Sequence, residues 1–280
     1  MPTYDFHQHL WPPALIDALR ARSERPRLRG SVLELPSGEW ELDLACHEPE
    51  ARLAYLDRNG LDVAVISCPP TLELDAELVE IYHDGILELV AASGGRLLAL
   101  ASGSARAGFC GACVSAQALG DLAALGPLLT ELEGRGRLLF VHPGPEAPAP
   151  DRPSWWSSVV GYTAQMQAAY ATWLAYGAEA WPGLRVLFAI LAGGAPIQLE
   201  RLASRGVETR GILHKHVYFD TASYGERALD LSMATFGVSH LVYGSDWPII
   251  DSGATLRSVR GFGQAVTDAV CRENPARLLQ

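Results

Sequence analysis

The chain has 280 residues, a formal net charge of −10 and a single lysine, Lys215; so acidic a balance, with no basic cluster, excludes a phosphate-backbone partner. Apolar residues make up 49% and charged residues 19%, which excludes a disordered chain. No run approaches the ~20 apolar residues needed to cross a bilayer, and residues 1 to 20 lack the charged start, apolar stretch and cleavage site of a signal peptide, so the expected compartment is the cytoplasm. Five cysteines, an odd number, fit reduced thiols better than a disulfide framework.

In chain order, short runs rich in Val, Ile, Leu and Phe predict strands at Tyr4 to His7, Asp62 to Ser67, Arg96 to Ala101, Cys110 to Ser115, Leu138 to His142, Arg185 to Leu191, Val217 to Thr221 and Leu241 to Gly244. Between most of them the apolar spacing turns helical, over Pro49 to Asn59, Asp75 to Ser93, Asp121 to Gly134, Tyr162 to Gly177 and Ile197 to Arg205. Eight strands alternating with helices in one chain of this length predict an α/β fold with one domain over 1-280, a (β/α)8 barrel rather than an open doubly wound sheet. The first turn, His7-Gln8-His9-Leu10-Trp11-Pro12, has none of the glycines of a dinucleotide-binding loop.

Two irregularities interrupt that repeat. Ser31 to Leu44 alternates apolar and polar residues around Pro36-Ser37-Gly38, which predicts an inserted hairpin acting as a lid or an interface. Between Ala101 and Cys110 there is no room for a helix, so one helix of the barrel is expected to be missing or shortened. A bare apolar wall there would need covering, and a homodimer is the expected cover. Cys110 and Cys113 form a C-x-x-C that could mark a redox pair or half of a zinc ribbon, but their small, apolar neighbours read as a buried strand.

The chemistry concentrates at strand ends. In Asp5-Phe6-His7-Gln8-His9, residues two apart on a strand point to one side, so His7 and His9 can grip one cation from inside a barrel. His142, before Pro143 and Gly144, supplies a third imidazole, and Asp246, in Gly244-Ser245-Asp246-Trp247-Pro248, brings a carboxylate from the last strand, which neighbours the first. Each alone has a bland reading, a hydrogen-bonded core histidine or a helix cap. Together they predict one divalent ion, zinc or a similar one.

Those segments, with Val217-Tyr218-Phe219-Asp220-Thr221 and the ending Glu273-Asn274-Pro275-Ala276-Arg277-Leu278-Leu279, resemble the amidohydrolase superfamily. The similarity is to its amidohydrolase-2 branch, which includes aminocarboxymuconate semialdehyde decarboxylase and resorcylate-type decarboxylases. The resemblance runs nearly end to end. It implies a distorted (β/α)8 barrel of the metallo-dependent hydrolase type, with the cation, zinc first and manganese as the other candidate, on His7, His9, His142 and Asp246.

One position departs from the branch pattern. Where the branch carries a histidine before paired glycines, this chain has Leu191 in Leu191-Ala192-Gly193-Gly194. In the branch that histidine orients and deprotonates metal-bound water, and loss of such a base costs roughly 10² to 10⁴ in rate. Asp246 is then the residue expected to move protons. His214 and His216 precede their strand and belong at the opposite end of the barrel.

Trp11, Trp155, Trp156, Tyr162, Tyr224 and Trp247 follow strands or lie in the loops after them, which suggests a flat substrate as much as lid packing. Arg201 matches in offset a carboxylate-binding arginine of the branch, although its helix is amphipathic and a surface arginine fits equally. The resemblance and the missing base together favour a decarboxylase or other carbon-carbon lyase acting on a small aromatic or unsaturated carboxylic acid. The competing readings are metal-dependent hydrolysis of an amide, lactone or ester, and a metal-stabilised barrel without turnover.

Overall fold

The structure, a computed structural model, describes residues 1–147, 151–209, 214–250 and 253–280. Its eight parallel strands are β1 (Tyr4–Gln8), β5 (Val63–Ile66), β6 (Leu97–Ser102), β7 (Gly111–Ser115), β8 (Leu138–His142), β9 (Val186–Phe188), β10 (Val217–Asp220) and β11 (Leu241–Val242), in that order around the sheet. The intervening labels belong to the insertion, with β2 at Arg27–Arg29, β3 at Val32–Leu35 and β4 at Gly38–Glu41. The barrel closes between its last strand and its first. Phe6 N donates to Tyr243 O (2.8 Å), Asp246 N to His7 O (2.7 Å) and His9 N to Trp247 O (2.9 Å).

The eight predicted strands are all present, and the differences lie at their ends. β9 stops at Phe188 rather than Leu191, because Ile190, Leu191 and Ala192 take left-handed backbone angles (φ 46°, 50° and 49°) that a strand does not allow. The helices Pro49–Asn59, Ala76–Ala92 and Leu122–Gly134 match their predicted spans to within a residue at either end. The carboxyls of Asp75 and Asp121 cap the latter two by accepting from Leu78 N and Ala124 N.

The insertion is larger than the predicted hairpin. It is an antiparallel three-stranded sheet, β2-β3-β4, with the expected turn between β3 and β4. Its inward leucines, Leu28, Leu33 and Leu35, are buried with the main core.

No helix separates β6 from β7, as expected. The bare wall expected there is not found. Leu100, Ala112 and Val114 are buried within this one chain, and Phe109, also buried, folds against the His83 ring of helix Ala76–Ala92. The short link itself therefore helps to cover the wall, which removes the physical reason given for a homodimer. Close approach helps as well. A Cβ on Gly111 would lie 2.3 Å from Leu138 O, so β7 can draw against β8 only with glycine there. Cys113 is a buried and Cys110 a half-buried free thiol, with Cys110 Sγ donating to Ala99 O and desolvation pushing the Cys110 thiol up to about 12. That is the behaviour of packing residues, not of a redox pair. Among the described residues, no helix is long and apolar enough to cross a membrane.

Candidate metal centre

β1 presents His7 and, just past its end, His9; β8 ends on His142; the loop after β11 supplies Asp246. One donor atom from each of the four lies within 4.8 Å of all the others. His7 Nε2 is 3.1 Å from His9 Nε2, and Asp246 Oδ1 is 3.1 Å from His9 Nε2 and 3.5 Å from His7 Nε2. Gly244 permits this convergence, since a Cβ there would sit 2.7 Å from the His7 Cβ.

Each imidazole is oriented through its other nitrogen. His9 Nδ1 donates to Ser67 O (3.0 Å) and His142 Nδ1 to Pro143 O (2.8 Å), and because carbonyls only accept, both Nε2 lone pairs are left for the centre. His7 Nδ1 meets Asp220 Oδ2 at 2.7 Å. The other oxygen of Asp220 accepts from Ile190 N (2.9 Å) and Ala222 N (3.0 Å), so the carboxylate that holds His7 is itself held. Three oriented imidazoles and one carboxylate suit a divalent ion such as zinc, and the hydrogen-bonded outer partners are those that metal-binding histidines usually have.

The electrostatics agree. Burial presses the His7 imidazole toward neutrality, but Asp220 and Asp246 outweigh it and carry the group up to about 9. Burial lowers His9 and, more strongly, His142. Burial also pushes the Asp246 carboxyl up, yet His7 and His9 overcome it and hold the group below its ordinary value. This cluster therefore favours a positive charge at its centre and an ionised Asp246.

Below the ligands lies a second buried network that the sequence reading missed. Arg52, fully buried in helix Pro49–Asn59, donates to Gln8 Oε1 (2.7 Å), His9 O (2.5 Å) and Trp247 O (3.3 Å). Gln8 Nε2 in turn donates to Asp5 Oδ2 (2.6 Å), and Asp5 Oδ1 accepts from Ser245 N (2.9 Å). One arginine thus ties the segment carrying His9 to the segment carrying Asp246. In the sequence it looked like any arginine of an amphipathic helix.

The ligands line a cavity of about 520 Å³ whose wall also includes Thr71, Tyr162, Ile190, Ser223, Tyr224 and Ile249. Ile190, not Leu191, faces this space; Leu191 is buried behind it. Tyr162 and Tyr224 fall where an aromatic wall was expected. Trp11 lines a neighbouring cavity, stacked on His47 with ring centroids 4.5 Å apart. The remaining expected substrate contacts line neither cavity. Trp247 stacks on Tyr55 (4.7 Å) with the Arg52 guanidinium 4.0 Å from its ring, Trp155 is exposed beside Trp156 (ring centroids 5.9 Å apart), and Arg201 is exposed on helix Leu191–Ala203. Loop position alone could not tell a tryptophan facing the mouth from one packed behind it. His216 lines a separate cavity with Arg185 and Lys215, beside the amino ends of β9 and β10.

A family model described as amidohydrolase matches residues 4–280. The 2-amino-3-carboxymuconate-6-semialdehyde decarboxylase of Dictyostelium discoideum is 23% identical over 282 residues, covering 85% of this chain and 78% of that protein. Among solved structures, the IDCase of Metarhizium anisopliae superposes with a TM-score of 0.83 at 20% identity, covering 99% of this chain and 97% of that one. The 5-carboxyvanillate decarboxylase of Novosphingobium aromaticivorans, complexed with manganese and 4-hydroxy-3-methoxy-5-nitrobenzoic acid, superposes with a TM-score of 0.72 at 16% identity, covering 99% and 96%.

Proposed function

The chain belongs to the amidohydrolase family, and from that premise we propose that it is a metal-dependent decarboxylase of a small aromatic or unsaturated carboxylic acid. One observation carries the choice of reaction. Among the described residues, the only imidazoles and carboxylates lining the metal cavity are the four ligands themselves. Hydrolysis by an activated water would have only Asp246, already a ligand, to take the water's proton, since Ile190, which lines the cavity, carries no base. Direct protonation of carbon needs no such group.

The same lining holds no lysine or arginine, so the substrate carboxylate has its positive partner only at the four-ligand centre. His7, His9, His142 and Asp246 would hold a divalent ion, which when bound would supply positive charge against that carboxylate. Zinc is the proposed ion, from the three imidazoles; manganese, present with one structural neighbour, is the competitor that metal analysis of the purified protein decides. Asp246, ionised at rest, takes the proton that a hydroxyl neighbouring the carboxylate gives up on binding. It then hands that proton to the carbon as the bond to the carboxyl group breaks, so carbon dioxide leaves and a C–H bond forms. Tyr162 and Tyr224 flank the ring and help to exclude water.

We place the protein in the cytoplasm and let its mass in solution decide a homodimer; a mass of one chain by light scattering dismisses the dimer. The reaction is tested with 2-hydroxybenzoates and related unsaturated acids on metal-loaded protein. Release of carbon dioxide without solvent oxygen-18 in the product is expected. Product carrying oxygen-18, formed from amide, lactone or ester substrates, would replace this reading with hydrolysis.

A further inference from the structure

Beside the metal cavity lies a second chamber of about 350 Å³, roofed by the inserted sheet, with Leu33, Leu35, Trp40 and Leu42 on that side and Leu72 opposite. The two spaces share Pro69, Thr71, Tyr162 and Ile249 as wall. They are neighbouring rooms of one site. Each lies in the range of about 300–1,000 Å³ that suits a drug-sized ligand, so a single-ring acid at the metal leaves the annex empty.

The annex carries large apolar side chains that the chain itself leaves partly uncovered. Leu33 and Trp40 are paired across β3 and β4 and therefore share a face of the sheet. Leu33 is 3% exposed, whereas Trp40 on that same inward face is 45% exposed, and Ile249, in the wall between the rooms, is 54% exposed. Large apolar groups that line the chamber and are only half covered gain by burial against a ligand, at about 25 cal/mol per Å² covered. The charges give the ligand a direction. Glu41, Asp43 and Glu146 line the annex, and among the described residues no lysine or arginine does. A carboxylate is therefore drawn to the metal end and repelled from the annex.

We infer that the natural substrate is a monocarboxylic acid bearing an uncharged apolar substituent that extends from the ring, past Tyr162 and Ile249, into the annex beneath the inserted sheet. This rests on the carboxylate reading of the metal centre and adds the class of substituent.

Calorimetric titration of the zinc-loaded protein tests it without requiring turnover. The probes are 2-hydroxybenzoate, 2-hydroxybenzoates extended by a hexyl or phenyl group at each free ring position, and a hexyl series ending in a second carboxylate. At least one hexyl or phenyl acid is expected to bind about tenfold or more tighter than the parent, and its carboxylate-ended counterpart to lose that gain. In Trp40→Ala, a change at a half-exposed side chain, the ratio of extended to parent affinity is expected to fall at least about threefold. Equal affinity for parent and every extended acid, or a ratio untouched in Trp40→Ala, overturns the annex while leaving the carboxylate reading intact. Failure of every acid to bind protein that carries its metal overturns both.

Discussion

The two sides of the barrel use burial in opposite ways. Where β1 meets β10 and β11, the interior holds Asp5, His7, Gln8, Arg52 and Asp220, all at 0–1% exposure, and each is tied to another polar group. Across the barrel, β6 and β7 bury Leu100, Ala101, Ala112 and Cys113 with no charge on either strand. The apolar side keeps the barrel folded and could be rebuilt from other hydrophobic residues of like volume. The polar side loses hydration on folding and offsets it through hydrogen bonds, with Arg52 Nε left without one, a costly arrangement whose return is a cation site with fixed geometry.

If that contrast is sound, mutations on the two sides must part company, and the largest separation is expected from Arg52→Ala. It takes the arginine donor from Gln8 Oε1 and His9 O and leaves Trp247 O with His9 N alone, and a loss of about 3–5 kcal/mol in chemical denaturation is expected, accompanied by weaker metal binding. Leu100→Ala should cost about 2–4 kcal/mol by the same measurement, while metal affinity, read by competition with a chromogenic chelator, stays as in the parent protein. Equal effects of the two on metal binding would erase the distinction. Asp220→Asn leaves the shape of the site and removes the charge that orients His7. Metal affinity about 10–100-fold weaker is expected, and the metal-free protein is expected to lose stability as well, because its buried His7 loses a charged partner.

The smallest expected effect is a pH dependence at the edge of the polar side. His47, buried against Trp11 and accepting from Trp11 N (3.1 Å), is pushed down to about 3 by burial first and by Arg52 second. Its ordinary value is near 6.5. The unfolded chain therefore takes up a proton between those values and the folded chain does not, so the contribution to stability is complete above about pH 6.5 and declines as pH falls toward 3. At pH 5.5 the decline is on the order of 1 kcal/mol. Denaturation of the parent and of His47→Gln at pH 7.5 and 5.5 isolates it, since the glutamine keeps an acceptor but not the titration; parallel pH losses in both proteins would contradict the assignment.

What could be read in advance follows the same division. Runs such as Leu138 to His142 announce buried strands because both faces are apolar, and H-x-H at a strand end announces a shared side because strand side chains alternate. Positions that depend on partners far along the chain were not legible. Arg52 is 195 residues from Trp247, and nothing in its own helix marks it as buried. Asp220 stood within a quoted motif without a role, although a carboxylate ending an apolar strand was a usable signal. The left-handed turn at Ile190 to Gly194 moved Leu191 behind the wall, because sequence register continues a strand that the backbone has already left.

The central claim is that four side chains from three separated parts of the chain hold one divalent ion. The direct measurement is metal content per chain by mass spectrometry, on native protein and on His9→Ala and His142→Ala purified in parallel. One tightly held ion in the native chain, lost from both variants, is the expected result. A native chain that stays metal-free when offered zinc or manganese, or variants that keep their ion undiminished, would contradict it.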